Sequence, residues 1–212
     1  MERLSRVVGP IATNVHLLAD PRSREAIAID TAIPSLDWIA EELAARDWTL
    51  KLIVSTHGHW DHIGDNAAVA AHTRAKIAVH PLDRGRLVDP QPLFAPFPIP
   101  PSVPAVDLAE GDVIRFGEIR LRVLHTPGHT EGSVCLLAED DGILYSGDTL
   151  FAGGWGRVDL PGGDADAMVA SLARLTSLED HLGVLTGHGP ATTIGRERAW
   201  LELVRDGGRL LA

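Results

Sequence analysis

The chain has 212 residues, 45% of them hydrophobic and 23% charged. That is enough for one sizeable domain burying roughly 70% of its unfolded surface, and it argues against the disordered, fibrous and membrane-spanning classes. Acidic residues outnumber basic ones by 29 to 19, a formal net charge of −10, so the average surface repels phosphate backbones and anionic lipid and neither nucleic acid nor membrane is an expected partner.

The single cysteine, Cys135, cannot close an internal disulfide, and the start MERLSRVVGP lacks the apolar core and cleavage site of a signal peptide. The cytoplasm is therefore the expected compartment. Cys135 lies in the apolar run SVCLLA and reads as a small buried hydrophobe rather than a reactive thiol.

In chain order, Asn14 to Ala19 and Ala26 to Asp30 read as strands. Ser35 to Arg46 reads as an amphipathic helix, with Ser35 as its cap and Leu36, Ile39, Ala40, Leu43 and Ala44 at helical spacing. Leu50 to Thr56 is an apolar strand that ends in a cluster of histidines. Asp65 to Ala75 looks helical and Lys76 to His80 like another strand. From Pro90 to Pro104 there are seven prolines, which remove backbone donors and fix φ, so this stretch is a loop or arm. It reads as an extended surface connection first and as a lid second, since Phe94, Phe97 and Ile99 would suit an apolar flap.

The second part repeats the alternation. Asp112 to Phe116 pairs with Glu118 to His125 across Gly117, and Ser133 to Ala138 with Ile143 to Ser146 across AEDDG. Asp166 to Leu178 carries Met168, Val169, Leu172 and Leu175 on one helical face, Leu182 to Thr186 is a strand, and Thr192 to Arg205 is a final helix. Strands followed by a helix, twice, predict an α/β (α+β) chain: one domain over residues 1–212 with two sheets face to face and helices outside.

The chemistry concentrates in STHGHWDHIGDN, where His57, His59, Asp61 and His62 fall within six positions. Each is a ligand for a borderline metal such as zinc. Side chains at alternate positions of an extended loop share a face, so His57 and His59 can converge on one ion and leave Asp61 and His62 for another. Neither pair completes a shell, so further ligands are required. His129 in HTPGHTEGS, Asp148 in LYSGDTLF and His188 in VLTGHGPATT each end an apolar run beside glycine, where the backbone turns sharply.

These residues resemble the metallo-β-lactamase fold superfamily, and within it the short glyoxalase II-like (hydroxyacylglutathione hydrolase-like) hydrolases. His-x-His-x-Asp-His is the signature, and TPGHT, SGDTLF, GRVDLPGGD and GHGPATTIGRE follow in the same order. The resemblance implies a four-layer αββα sandwich. It places His57, His59 and His129 on a first metal, Asp61, His62 and His188 on a second, and Asp148 between them. The cofactors so implied are two divalent ions, zinc foremost, with iron and manganese as the other candidates. Asp148 stands where the classical zinc β-lactamases carry cysteine, which disfavours antibiotic hydrolysis.

A hydroxide held between two cations is a nucleophile near neutral pH, and Asp61 is the expected catalytic residue, orienting it and passing its proton to the leaving group. The expected substrate is a small molecule, a glutathione thioester such as S-lactoylglutathione or a related ester or lactone. The helical extension with which longer glyoxalase II enzymes hold glutathione has no counterpart before Ala212, which leaves the substrate open. GRVDLPGGD also resembles the corresponding loop of mononuclear-iron glutathione persulfide dioxygenases, the alternative function. Arg157 and Asp159 in that loop read equally as an ion pair or a substrate contact. Trp60 and Trp155 read as packing first and as substrate walls second.

Overall fold

The structure is a computed structural model that describes residues 1–207. Its strands sort by side-chain alternation. In β1 (Glu2–Val8), β2 (Thr13–Ala19), β3 (Glu25–Ile29), β4 (Thr49–Val54), β5 (Lys76–Val79) and β6 (Val106–Asp107), successive residues face opposite ways, and the six form one sheet in the order β1-β2-β3-β4-β5-β6. Val15, Leu17, Ala28 and Ile77 face helices α1 (Leu36–Arg46) and α3 (Asn66–Thr73), whereas Leu18, Ile27, Ile29 and Ala78 face the second sheet. Between Ala26 and Ile27 the β3–β4 register shifts by a residue, so Leu50 and Ile53, three apart, share the helix-facing side.

The second sheet contains β7 (Val113–Phe116), β8 (Ile119–His125), β9 (Val134–Ala138), β10 (Ile143–Gly147), β13 (Gly183–Thr186) and β14 (Thr192–Thr193), in the order β14-β13-β10-β9-β8-β7. Helix α2 (Trp60–Ile63) follows β4 and α4 (Arg84–Val88) follows β5; a small hairpin of β11 (Leu150–Phe151) and β12 (Gly154–Trp155) precedes helix α5 (Ala165–Leu175), and α6 (Ile194–Arg205) is the last described element. Leu121, Val123, Leu136 and Tyr145 pack between the sheets, while Cys135, Leu137, Leu144 and Val184 alternate with them and pack under Met168, Leu172 and Leu201 of the helices. Three apolar layers thus separate four structural ones, the αββα sandwich that the resemblance implies. Cys135 is fully buried, and burial pushes its thiol up to about 11, as expected of an inert residue.

The differences from the sequence reading are local. Strand β1 was not anticipated: it is an edge strand with a largely exposed, polar face and no apolar alternation, yet it pairs with β2 along its whole length. Ser35 does stand at the helix start, but its hydroxyl has no partner; the cap is the Asp65 carboxylate, which accepts from the Ser35 and Leu36 N–H groups. The final helix begins at Ile194, because Thr192 and Thr193 first form β14 and Thr193 then caps α6 by accepting from the Arg196 N–H.

His16 lies on the inter-sheet side of β2, edge-on to Tyr145 at 5.1 Å. Burial, opposed by the charge of Asp30, lowers its pKa from 6.5 to about 4. Between those values the unfolded chain takes up a proton that the folded chain refuses. Stability from this source is therefore complete above pH 6.5 and declines toward pH 4, by up to about 3 kcal/mol. Urea denaturation of His16→Gln against the parent should show a flatter pH dependence across that window; equal slopes would assign the acid sensitivity elsewhere.

Candidate metal centre

Strands β8, β10 and β13 of the second sheet run in one direction, so their carboxyl ends share an edge. His129, Asp148 and His188 follow those three ends, and the loop after β4 brings the histidine cluster against them from the first sheet. That loop is not extended throughout: the chain bends at Thr56 and His57 and is extended at His59. Asp61 and His62 stand on α2 (Trp60–Ile63), a single helical turn that His59 precedes in extended conformation.

All seven residues expected as ligands meet there. Donor atoms lie within 4.8 Å of one another in three overlapping groups: His57, His59 and His129; His57, His62 and Asp148; and Asp61, His62 and His188. His59 Nδ1 is 2.8 Å from His129 Nε2. His62 Nε2 is 3.1 Å from Asp61 Oδ2 and 3.4 Å from Asp148 Oδ1. The other Asp148 oxygen lies 3.4 Å from His129 Nε2 and 3.6 Å from His188 Nε2, so this one carboxylate faces donors of all three groups.

The outward nitrogens fix which way the lone pairs point. His129 Nδ1 meets the Arg157 carbonyl at 2.7 Å, His188 Nδ1 the Ile11 carbonyl at 3.1 Å, and His62 Nδ1 the Asp30 carboxylate at 3.0 Å. Thr56 donates its hydroxyl proton to Asp30 and is left to accept from His57 Nδ1, 3.1 Å away. Every outward partner is an acceptor, so Nδ1 carries the hydrogen and a bare Nε2 faces inward, the arrangement that metal-binding histidines use. His57 Nε2 and Asp148 Oδ1 are buried with no partner in the protein, which fits a cation between them. His59 is turned the other way, with Nδ1 inward and Nε2 unpartnered.

Charge points in the same direction. Burial holds His57 well below its ordinary pKa and His59 down to about 3, with neighbouring imidazoles adding to the effect. For His62 burial is outweighed by Asp61, Asp148 and Asp30, and its pKa rises; for Asp61 burial is outweighed by His62 and His188, and its pKa falls. The carboxylates thus draw positive charge into the cluster, a need that a divalent ion meets. Five imidazoles and two carboxylates suit zinc, and suit iron and manganese as well.

The sequence reading missed the frame. Asp83 is fully buried and accepts from the Gly58 N–H at 2.6 Å, the Gly132 N–H at 2.9 Å and the Thr130 hydroxyl at 2.7 Å, joining the His57–His59 loop to the His129 loop. Asp30, read only as a strand end, holds Thr56 and His62; an acid closing the apolar run AIAID was its signal. His16, His72, His80, His125 and His181 supply none of these hydrogen bonds. His80 and His125 stack on each other at 4.0 Å, and His72 and His181 are exposed.

A cleft of about 480 Å³ opens over the cluster, walled by Ile11, Trp60, Leu93, Phe94, Phe151, Leu160 and Arg157. Trp60 therefore does line it, while its indole N–H donates to the Leu93 carbonyl. Trp155 does not; it packs against Trp200. Arg157 and Asp159 form an ion pair with two hydrogen bonds of 2.7 Å, and the Arg157 carbonyl orients His129.

Two substitutions test the frame. Asp83→Ala strands three buried donors and should weaken zinc binding about 10- to 100-fold, read by competition with a chromophoric chelator. At Gly187 a Cβ would overlap Asp148 Oδ1, so Gly187→Ala should lower metal content while the far-ultraviolet circular dichroism stays unchanged. Full metal content in both would remove these residues from the frame.

Comparison with known proteins agrees with the geometry. The family described as "Metallo-beta-lactamase superfamily" matches residues 8–188. An uncharacterized protein of Aquifex aeolicus is 42% identical over 91% of this chain and 92% of its own. A hydroxyacylglutathione hydrolase of Maricaulis maris is 38% identical over 81% of this chain but 60% of its own length, and the hydroxyacylglutathione hydrolase GloC of Haemophilus influenzae is 31% identical over 87% and 89%. Among solved structures, the BLEG-1 B3 metallo-beta-lactamase has a TM-score of 0.83 at 32% identity, covering 93% of this chain and 97% of that one. ETHE1 from Myxococcus xanthus gives 0.81 at 27% over 97% and 85%, and TTHA1623 in a di-iron-bound form 0.79 at 33% over 92% and 96%. With motif order, fold and ligand geometry in agreement, the chain belongs to the metallo-beta-lactamase superfamily.

Proposed function

We propose that residues 1–212 form a single-domain binuclear metallohydrolase that cleaves a thioester of the S-lactoylglutathione kind or a related ester or lactone. The observation that carries this reading is the meeting of seven donors in three overlapping groups with Asp148 facing all of them. His57, His59 and His129 would hold one ion, Asp61, His62 and His188 the other, and Asp148 would lie between. GloC adds support, because a chain of similar extent carries the hydroxyacylglutathione hydrolase name without a long extension.

Divalent ions bound there would supply a water whose pKa is lowered far enough for it to act as a nucleophile near neutral pH. The protein's part is to place and protonate. Asp61 Oδ2 accepts from the Thr13 hydroxyl at 3.3 Å and lies 3.1 Å from both His62 Nε2 and His188 Nε2, so its carboxylate is fixed and ionised. It orients the nucleophile and carries the proton to the departing thiolate. The walls beside the reacting carbonyl are largely apolar.

The second reading is a mononuclear-iron glutathione persulfide dioxygenase, held by His57, His129 and Asp148. The likeness to ETHE1 and the GRVDLPGGD loop favour it; the close Asp61, His62 and His188 group argues for a second ion.

Metal analysis after anaerobic purification, with thiol release from S-lactoylglutathione and oxygen uptake with glutathione persulfide, separates the two. Two ions, thiol release and no oxygen uptake are expected; one iron with oxygen uptake would overturn the hydrolase. Nitrocefin belongs in the same assay because the BLEG-1 structure bears a β-lactamase name. Asp61→Ala should lose one ion and at least a hundredfold in kcat, and a variant that kept both ions and full rate would remove Asp61 from the chemistry.

A further inference from the structure

The cleft's walls carry information that its metal-binding floor does not. On the proline-rich segment, Leu93, Ala95 and Phe97 pack against the core and Ile99 is buried, but Phe94 is 88% exposed and lines the cleft. Its φ of 67° is one that a bulky residue seldom adopts. Trp60, Leu93 and Phe94 wall the cleft on the His59 side of the cluster. Ile11, whose carbonyl holds His188, and Phe151, whose ring centre is 6.2 Å from that of His188, wall the other. Both flanks of the reacting centre are apolar.

The walls themselves, apart from the ions proposed for the floor, carry little positive charge. Arg157 is the one Lys or Arg among the described residues lining the cleft, and both of its hydrogen bonds to Asp159 are used within the protein. Arg157 in turn holds the Asp159 carboxyl down to about 2.

We infer that the acyl group of the substrate is an uncharged apolar chain, seated against Phe94 or Phe151 with its carbonyl over the ligand cluster. This rests on the thioester or ester hydrolase reading and narrows it. Because the two flanks are alike, the chain meets an apolar wall whichever way the carbonyl is turned. The cavity, about 480 Å³, lies within the roughly 300–1,000 Å³ of small-molecule sites. Covering Phe94 removes a large apolar surface from water, which favours longer chains over lactoyl.

The test uses zinc-loaded protein and S-acyl-N-acetylcysteamine thioesters from acetyl to octanoyl. kcat/KM should rise by roughly threefold per methylene until the cavity is filled, and hexanoyl should exceed S-lactoylglutathione. Phe94→Asn, which suits the positive φ, and Phe151→Asn are compared separately: the one on the wall that seats the chain should lower the octanoyl-to-acetyl ratio about tenfold, and an unchanged ratio in both overturns the inference. Calorimetric titration with acetyl- to octanoylhydroxamate reads chain preference without turnover and should show the same trend. Rates and affinities that are flat or falling with length overturn the inference, even if S-lactoylglutathione is hydrolysed well. Hydroxamate affinity that climbs with length while no thioester is cleaved supports the apolar cleft and overturns the hydrolase reading instead.

Discussion

Five imidazoles and two carboxylates cannot be gathered within a few ångströms inside a protein unless their lone pairs have a common destination. Here each outward ring nitrogen of His57, His62, His129 and His188 is occupied by an acceptor, so the inward ones cannot satisfy themselves by turning round. Much of the surrounding structure serves that constraint. Asp30 and Thr56 fix two rings, the carbonyls of Ile11 and Arg157 fix two more, and Asp83 keeps the loops that carry the first group in register. A ring held from behind loses little freedom when it takes a ligand in front, which favours binding.

The sandwich explains why donors so far apart in sequence share one place. Apolar alternation forces each strand to present one face to the helices and one to the other sheet, so neither sheet can rotate freely against its neighbour. Once β8, β10 and β13 run the same way, the residues after them must share an edge. Glycine does the remaining work at Gly187, where any side chain would enter the space of Asp148.

How much of this could be read from sequence depended on how local the signal was. The seven donors were legible because histidine and aspartate sit at short spacings or at the ends of apolar runs beside glycine. The strands were legible where a short apolar run was continuous, as in Ser133 to Ala138, and lost where an exposed face carried no pattern, as in Glu2 to Val8. Asp83 and Asp65 were illegible for a different reason: their partners lie on other loops and helices, and no local spacing announces a hydrogen bond of that range. Phe94 could be marked as apolar, but only the structure shows that Phe97 is partly buried against the core and Ile99 is buried while Phe94 is exposed.

The first hairpin and the loop that carries His188 are fastened together. Asn14 donates its side-chain amide to the carbonyls of Thr186 and Gly189, its backbone N–H bonds the Gly187 carbonyl, and Thr13 bridges to His188. As the chain leaves the ribosome, the start of β2 must wait for nearly the whole sequence before this edge can be closed. His57, His59, Asp61 and His62 are synthesised long before His188. The complete cage is therefore a product of late closure, and a nascent chain holds only fragments of it.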